Sequence, residues 1–209
     1  NPASFDALNN LAVAKEAQGK AHDAIAVLTQ ASRLSPSDVS VLRRLASLLR
    51  RVNRLPEADA VWNRSLEIEP ENPDVLSEFS GALIERADAT EVERLLTKAL
   101  ALRPGDAATL INLGRLRYYQ GRFQDAREAY GAAVESEPNV LGHQVIREAA
   151  LPMVADGVDQ IRQLRDDRRR GFMGLGRRGP TEHGEYWNPL SFYLAYHGEN
   201  DRDLMEIQA

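Results

Sequence analysis

Four arginines lie close together in one short segment of the sequence, as the adjacent pairs Arg43–Arg44 and Arg50–Arg51. Each guanidinium group is permanently charged and presents its N–H donors as a planar fork, a geometry that suits carboxylates. We therefore expect an acidic or carboxylate-bearing ligand at this segment. The alternative is that these arginines are solvated, or that they are paired with Glu16 and Glu78 of neighbouring helices.

Histidine is a common general base and metal ligand, but the histidines of this chain do not form a recognisable site. The four are His22, His143, His183 and His197, and none has the partner four residues away that is typical of a helical metal site. The segment 182–185 contains two glutamates around His183, without a second cluster to anchor a metal. No cysteine is present, which excludes thiolate nucleophiles, disulfides and cysteine-ligated zinc. We predict no catalytic residue, no metal and no cofactor in this chain.

A glycine-rich segment at 171–179 carries Arg177 and Arg178 and is the remaining candidate for a phosphate site. It lacks the Lys-Ser/Thr of a P-loop and follows no predicted strand. We predict a flexible loop over residues 171–188.

The elements that position these residues follow from an internal repeat. The prolines show its period, because they recur every 34 residues at Pro2, Pro36, Pro70, Pro104 and Pro138. Proline lacks a backbone N–H, so each one can end a helix and admit the next. Pro2 lies where the closing proline of an earlier, cut repeat would lie.

Each repeat contains two apolar stripes with helical spacing. The stripe of the first helix is formed by Leu8, Leu42, Leu76 and Leu110, followed by Leu11, Leu45, Phe79 and Leu113. The second helix has the large residues Leu28, Trp62, Leu96 and Tyr130 between small ones. The turn positions are Gly19, Asn53, Ala87 and Gly121. These patterns predict helices at about 5–18, 21–34, 39–52, 55–68, 73–86, 89–102, 107–120 and 123–136.

The pattern resembles the tetratricopeptide repeat in its period and in the residue types at its signature positions. The resemblance covers residues 3–138 and is closest in the fourth repeat, with Gly114, Phe123 and Tyr130. The third repeat departs from it, since the turn at 86–89 lacks glycine. The resemblance implies an all-α, right-handed solenoid of helix–turn–helix repeats, a fold that binds proteins or peptides. The four predicted repeats span 5–38, 39–72, 73–106 and 107–138.

In such an array the first helix of each pair lines the concave side. A ligand would then contact the residues beside each first-helix stripe. The predicted groove residues are Asn9, Asn10 and Val13; Arg43, Arg44, Ser47, Arg50 and Arg51; Ser77, Glu78 and Gly81; and Ile111, Asn112, Arg115, Tyr118 and Tyr119.

After the repeats we predict capping helices over 139–170 and, beyond the loop, short helices over 189–209 that lead into a missing region. The segment around Leu151–Pro152 and the run 192–204 resemble the junction between repeats and catalytic region in bacterial SPINDLY-like relatives of O-linked N-acetylglucosamine transferase. In that family the helical array selects protein substrates, and nucleotide-sugar-binding domains transfer the sugar. Its inner surface carries a ladder of asparagines that bind the backbone of an extended substrate. Asn10 and Asn112 match this ladder here, but Arg44 and Glu78 occupy the positions between them, so the ladder is incomplete.

The composition limits the classes of partner that the chain is expected to bind. A formal net charge of -5 argues against wrapping nucleic acid. No apolar run approaches the roughly 18 residues of a membrane span, and no signal-peptide pattern is present. We expect a cytoplasmic protein without a membrane partner.

Three functional hypotheses remain open. The leading one is a substrate-recruiting part of a SPINDLY-like protein O-glycosyltransferase. The second is a stand-alone adaptor or scaffold that self-associates through its open ends. The third is an enzyme that uses the loop around His183.

Overall fold

A computed structural model describes residues 4–149, together with positions 159, 162–163, 165–167 and 169–170. The described residues include nine α-helices and no β-strand. The helices are α1 (Phe5–Ala17), α2 (Ala21–Leu34), α3 (Val39–Arg51), α4 (Leu55–Ile68), α5 (Pro73–Leu83), α6 (Ala89–Leu102), α7 (Ala107–Tyr119), α8 (Phe123–Ser136) and α9 (Leu141–Ala149). The chain divides into two compact units, Asn1–Arg103 and Pro104–Ala209. The first unit contains α1 to α6, and the second contains α7 to α9.

Consecutive helices pack in pairs, α1 on α2, α3 on α4, α5 on α6 and α7 on α8. This pairing, with no strand among the described residues, confirms the predicted all-α fold of tetratricopeptide type. The starts of all eight predicted helices agree with the structure. Of the predictions beyond the repeats, the loop at 171–188 and the helices at 189–209 lie outside the described residues, and the cap at 139–170 lies only partly within them.

A polar side chain begins the first helix of every pair. It accepts a hydrogen bond from the backbone N–H three residues later, which satisfies a donor that has no partner inside the helix. These bonds measure 2.8 to 3.3 Å. The four capping residues are Ser4, Asp38, Asn72 and Asp106.

Three of the four turns inside the pairs are closed by a residue with positive φ. Gly19, Asn53 and Gly121 have φ values of 70°, 61° and 73°. In each turn the next residue donates its N–H to a carbonyl five residues earlier, the Schellman arrangement that ends a helix. Asparagine tolerates this left-handed conformation better than most residues other than glycine. Asn53 therefore does what glycine does in the other two turns.

The turn between α5 and α6 is built differently. No residue in it has positive φ, and α5 ends at Leu83 rather than at the predicted residue 86. Arg86 holds the turn instead, because its Nε donates to the carbonyl of Ala82 at 2.9 Å and its two Nη atoms each lie 2.7 Å from a carboxylate oxygen of Asp59 on α4. Asp88 then caps α6. Side-chain contacts thus replace the missing positive-φ residue.

The core of the first unit is built from large residues of second helices packed among small ones. Leu28, Trp62 and Leu96 are fully buried, and Trp62 stacks on Phe79 with ring centroids 5.5 Å apart. Small residues on the first helices, such as Ala46 on α3, are also fully buried. Close approach of the backbones is possible because these side chains are small.

The second unit repeats this arrangement with aromatic rings. Tyr130 of α8 is buried against Gly114 of α7, and Phe123 meets Tyr118 edge to face with centroids 5.2 Å apart. Helix α9 packs on α8. Among its described side chains, Gln144 is buried and donates to the carbonyl of Pro138.

Candidate functional site

Three first helices of the first unit, α1, α3 and α5, bring the predicted groove residues together. Asn9, Val13 and Glu16 are spaced by four and then three residues, so they lie along one face of α1. Helix α3 presents its arginines between α1 and α5. We call the residues Asn9, Asn10, Val13, Glu16, Arg43, Arg44, Ser47, Arg50, Asp74 and Glu78 the first-helix surface of this unit.

Arg44 connects α3 to α1. One Nη atom of Arg44 donates to the side-chain oxygen of Asn9, and the other forms an ion pair with Glu16. Because Asn9 and Glu16 lie about two helical turns apart, the guanidinium group brings their side chains together across Val13. Val13 itself remains 52% exposed. The Arg44 fork is therefore occupied by groups of the chain itself.

Arg43 points the other way and connects α3 to α5. Its Nη1 lies 2.7 Å from Asp74 Oδ2, and its Nε lies 3.3 Å from Glu78 Oε1. Ser47 on α3 donates its hydroxyl to Glu78 Oε2 at 3.1 Å. Asp74 also receives Nη1 of Arg103 at 2.8 Å. Arg43 and Arg44 are thus paired with carboxylates of neighbouring helices, as the alternative prediction for these arginines stated.

The pKa values of the two carboxylates on α5, Asp74 and Glu78, are shifted in opposite directions. Burial disfavours ionisation of Asp74, but the hydrogen bond from Arg103 and the charges of Arg43 and Arg103 outweigh it, so the pKa of Asp74 lies below its ordinary value. Burial raises the pKa of Glu78 above its ordinary value, and Arg43 and Ser47 oppose this only in part. Asp74 is therefore the better compensated carboxylate.

The remaining predicted residues of the first unit differ in accessibility. Asn10, Arg50 and Arg51 are exposed, and their side chains make no hydrogen bond or ion pair to another described residue. Gly81 is half-buried, whereas Ser77 is buried and lies in the core. The accessible part of this surface therefore combines the amide of Asn10, the apolar side chain of Val13 and the guanidinium group of Arg50.

The predicted residues of the second unit lie on α7. Asn112 and Arg115 are half-buried, and Tyr119 is 54% exposed. Tyr118 is buried and belongs to the core. Burial raises the pKa of Tyr130 well above its ordinary value, and the positive charge of Arg115 opposes that rise. Arg115 therefore lies near the buried phenol of α8.

Sequence reasoning missed one residue of the first-helix surface and one buried residue that interacts with it. Asp74 was not predicted, although its place in the first turn of α5 is where a carboxylate is favoured by the helix dipole. Trp62 was predicted only as a core residue. Its indole N–H is buried without a hydrogen bond of normal geometry, and its interaction with Glu78 favours the ionised carboxylate.

The part of the chain that the structure describes shows neither a metal cluster nor a membrane-spanning helix. No three histidine, aspartate or glutamate side chains there lie close enough to hold a metal ion. None of the helices described combines the length and the apolar character needed to span a bilayer.

Comparisons with known proteins agree with this geometry. The family model "Tetratricopeptide repeat" matches residues 16–77 and 83–146, which is more than half of the 209 residues. No curated protein sequence matches the chain.

Several solved structures share the fold. PilF of Pseudomonas aeruginosa is 19% identical with a TM-score of 0.67, over 98% of this chain and 95% of that one. MamA of Desulfovibrio magneticus RS-1 is 15% identical with a TM-score of 0.65, over 83% and 93%. The O-GlcNAc transferase of Thermobaculum terrenum is 22% identical with a TM-score of 0.59, over 67% of this chain but only 26% of that one.

The paired helices and the family match lead to the same conclusion. This chain belongs to the tetratricopeptide-repeat family, and it is a module for protein–protein interaction.

Proposed function

We propose that the first-helix surface of the first unit binds an extended segment of a peptide or protein. The observation that carries the proposal is the convergence of α1, α3 and α5 through Arg43 and Arg44, which holds this surface in a defined arrangement. A preorganised polar surface loses less entropy when it binds a flexible peptide. In the second unit, Asn112, Arg115 and Tyr119 of α7 are the corresponding proposed contacts.

The accessible side chains suggest how the segment would be held. The amide of Asn10 suits a peptide backbone, because it offers both a donor and an acceptor. Val13 offers an apolar contact, and Arg50 offers a guanidinium group that is not paired with any residue in the described part of the chain. The proposed acidic group of the ligand is therefore assigned to Arg50 rather than to Arg43 or Arg44.

A selection experiment tests this proposal. Peptides are selected from a random-peptide phage library on the chain Asn1–Ala209 and their affinities are measured by fluorescence polarisation. The variant Asn10→Ala with Val13→Ser should weaken binding at least tenfold, since both side chains are exposed and their replacement leaves the core unchanged. Thr97→Ala, at an exposed position of α6, is the matched control and should bind normally. Equal binding by all three proteins would contradict the proposal.

We further propose that this module recruits protein substrates for a SPINDLY-like O-glycosyltransferase in the cytoplasm. Its support is the resemblance of the segment 151–204 to the repeat-to-catalytic junction of that family, together with the fold shared with the Thermobaculum terrenum enzyme. The coding sequence after the codon for Ala209 tests the idea. Nucleotide-sugar-binding domains there would support it, and a stop codon would remove it.

A scaffold without an associated enzyme is the second candidate, and one observation favours it. Leu11 on α1 is 44% exposed, whereas the equivalent Leu45 and Phe79 are 5% and 6% exposed because another helix covers them. In a repeat array each unit packs on its neighbours, so a second copy that packed on α1 would cover Leu11. Leu11→Glu should then lower the mass measured by sedimentation equilibrium, and an unchanged mass would count against the scaffold.

A further inference from the structure

Glu78 is the carboxylate of the first-helix surface whose charge is least compensated. Its partners are the Nε of Arg43 at 3.3 Å and the hydroxyl of Ser47 at 3.1 Å, both longer than the contacts around Asp74. Asp74, one turn earlier on α5, repels it and takes the closer approach of Arg43 at 2.7 Å. A single guanidinium group is thus shared unequally between two carboxylates.

Asp74 does not offer the same opportunity to a ligand. It is held by Arg43 and by Arg103 at 2.7 and 2.8 Å, so two cations already compensate its charge. A further cation would bind Asp74 only weakly, since it would have to displace the existing ion pairs with Arg43 and Arg103. At Glu78 no second cation is present among the described residues.

Glu78 is nevertheless accessible from solvent. Its side chain is 37% exposed, while the fully buried Trp62 of α4 interacts with the carboxylate from the core side. A group arriving from solvent therefore meets a partly desolvated anion that already has fixed neighbours. Ion pairs in such places are less screened than pairs on the open surface.

We propose that Glu78 receives a basic group of the bound segment, the ammonium or guanidinium of a lysine or arginine or the amino terminus of a peptide. The inference rests on the proposed peptide binding by this surface and adds the chemistry of one contact to it. The ligand would complete the compensation that Arg43 provides only in part. It would thus carry a cation at Glu78 and, as proposed above, an acidic group at Arg50, which lies one helical turn beyond Ser47 on α3.

The experiment uses peptides selected as above on the full chain. A basic residue should be enriched at one position of the peptides, and Glu78→Gln should weaken their binding roughly tenfold. The glutamine keeps an acceptor for Ser47, and a thermal melt confirms that the variant folds. Glu71→Gln, at an exposed site just before α5, is the matched control and should bind like the wild type.

Peptide variants separate the two sources of the cation. Replacing the enriched lysine of the peptide by norleucine should lower the affinity for the wild type by the same factor as Glu78→Gln does, and it should not lower the affinity for that variant any further. Acetylation of the peptide's amino terminus should lower the affinity by this factor only if the terminus is the bound group. Wild-type affinity should fall as the pH is lowered through the pKa of Glu78, which burial raises, and Glu78→Gln should keep only the pH dependence that the acidic group of the ligand causes.

Two other results would overturn the inference in different ways. Peptides that need Asn10 and Val13 but bind Glu78→Gln normally would leave the peptide surface intact and refute the basic contact. Failure to select any peptide, or peptides that are indifferent to Asn10 and Val13, would refute the proposed function together with the inference.

Discussion

The ring of Tyr130 lies directly on the backbone of Gly114. A β-carbon built at Gly114 would be 2.3 Å from Tyr130 Cε1 and 2.5 Å from its Cδ1. No side-chain atom can occupy that space unless the ring or the helix moves. Glycine at this position is therefore required by packing and not by backbone conformation, because Gly114 lies within α7 without a positive φ.

Gly114→Ala should destabilise the chain by about 1–3 kcal/mol, the usual cost of forcing an extra methyl group into a packed core. Urea denaturation followed by circular dichroism measures it. Gly131→Ala is the control, because no atom lies within 4 Å of the added β-carbon on α8. That substitution should stabilise the helix by about 0.5–1 kcal/mol. A destabilisation of equal size at both positions would show that packing against Tyr130 is not the cause.

The turns give a second prediction, because only some of them require a left-handed residue. Gly121→Ala should cost about 1 kcal/mol, since φ is 73° there. Asn53→Gly should be neutral or stabilising, because glycine adopts the same φ more easily. Ala87→Gly should instead destabilise by about 0.5–1 kcal/mol, since that turn has no positive φ and glycine only adds freedom to the unfolded chain. Denaturation midpoints that show Asn53→Gly to be destabilising, or either of the other two variants to be stabilising, would contradict these roles of the turn residues.

The repeat period explains why the helices could be predicted so closely. Pro36, Pro70 and Pro104 mark the ends of the pairs, and the same residue types return at each buried position, so every repeat supports the assignment of the others. Helix α5 is the exception because the turn after it has no glycine or asparagine to mark its end. The closure by Arg86 and Asp59 joins residues 27 apart in sequence, and no local pattern reports such a contact.

The candidate site could be predicted only in part, for a geometric reason. The period places residues 34 apart at equivalent positions, and this identified the faces of α1, α3 and α5. The actual contacts are offset from that period, since Arg44 reaches Glu16 across 28 residues and Arg43 reaches Asp74 across 31. Offsets of one to two helical turns depend on side-chain rotamers and helix packing. Sequence therefore predicted the surface, and the structure was needed to show which arginines are already paired.

The bidentate ion pair between Arg86 and Asp59 supports a third prediction. Arg86→Lys keeps the charge but loses the paired contacts, and it should destabilise the chain by about 1 kcal/mol. Amide hydrogen exchange should rise mainly in the turn between α5 and α6. Arg94→Lys is the control, because its pair with Glu91 is more exposed and lies within α6. A double-mutant cycle without coupling between Arg86 and Asp59 would contradict this role.

The opposite pKa shifts of Asp74 and Glu78 give a prediction about pH. A lowered folded-state pKa means that Asp74 contributes stability above its unfolded pKa and loses it as the pH falls through the folded value. Asp74→Asn should therefore destabilise the chain at pH 7 by at most about 1 kcal/mol, because the carboxylate is well exposed and screened. The difference from the wild type should shrink as the pH is lowered from 7 and should vanish below the lowered pKa of Asp74. Glu78 has a raised pKa, so its ionisation opposes folding at neutral pH, and Glu78→Gln should be neutral or stabilising at pH 7. Urea midpoints of both variants across this pH range measure the two effects, and a destabilisation by Glu78→Gln as large as that of Asp74→Asn would show that Arg43 compensates both carboxylates equally.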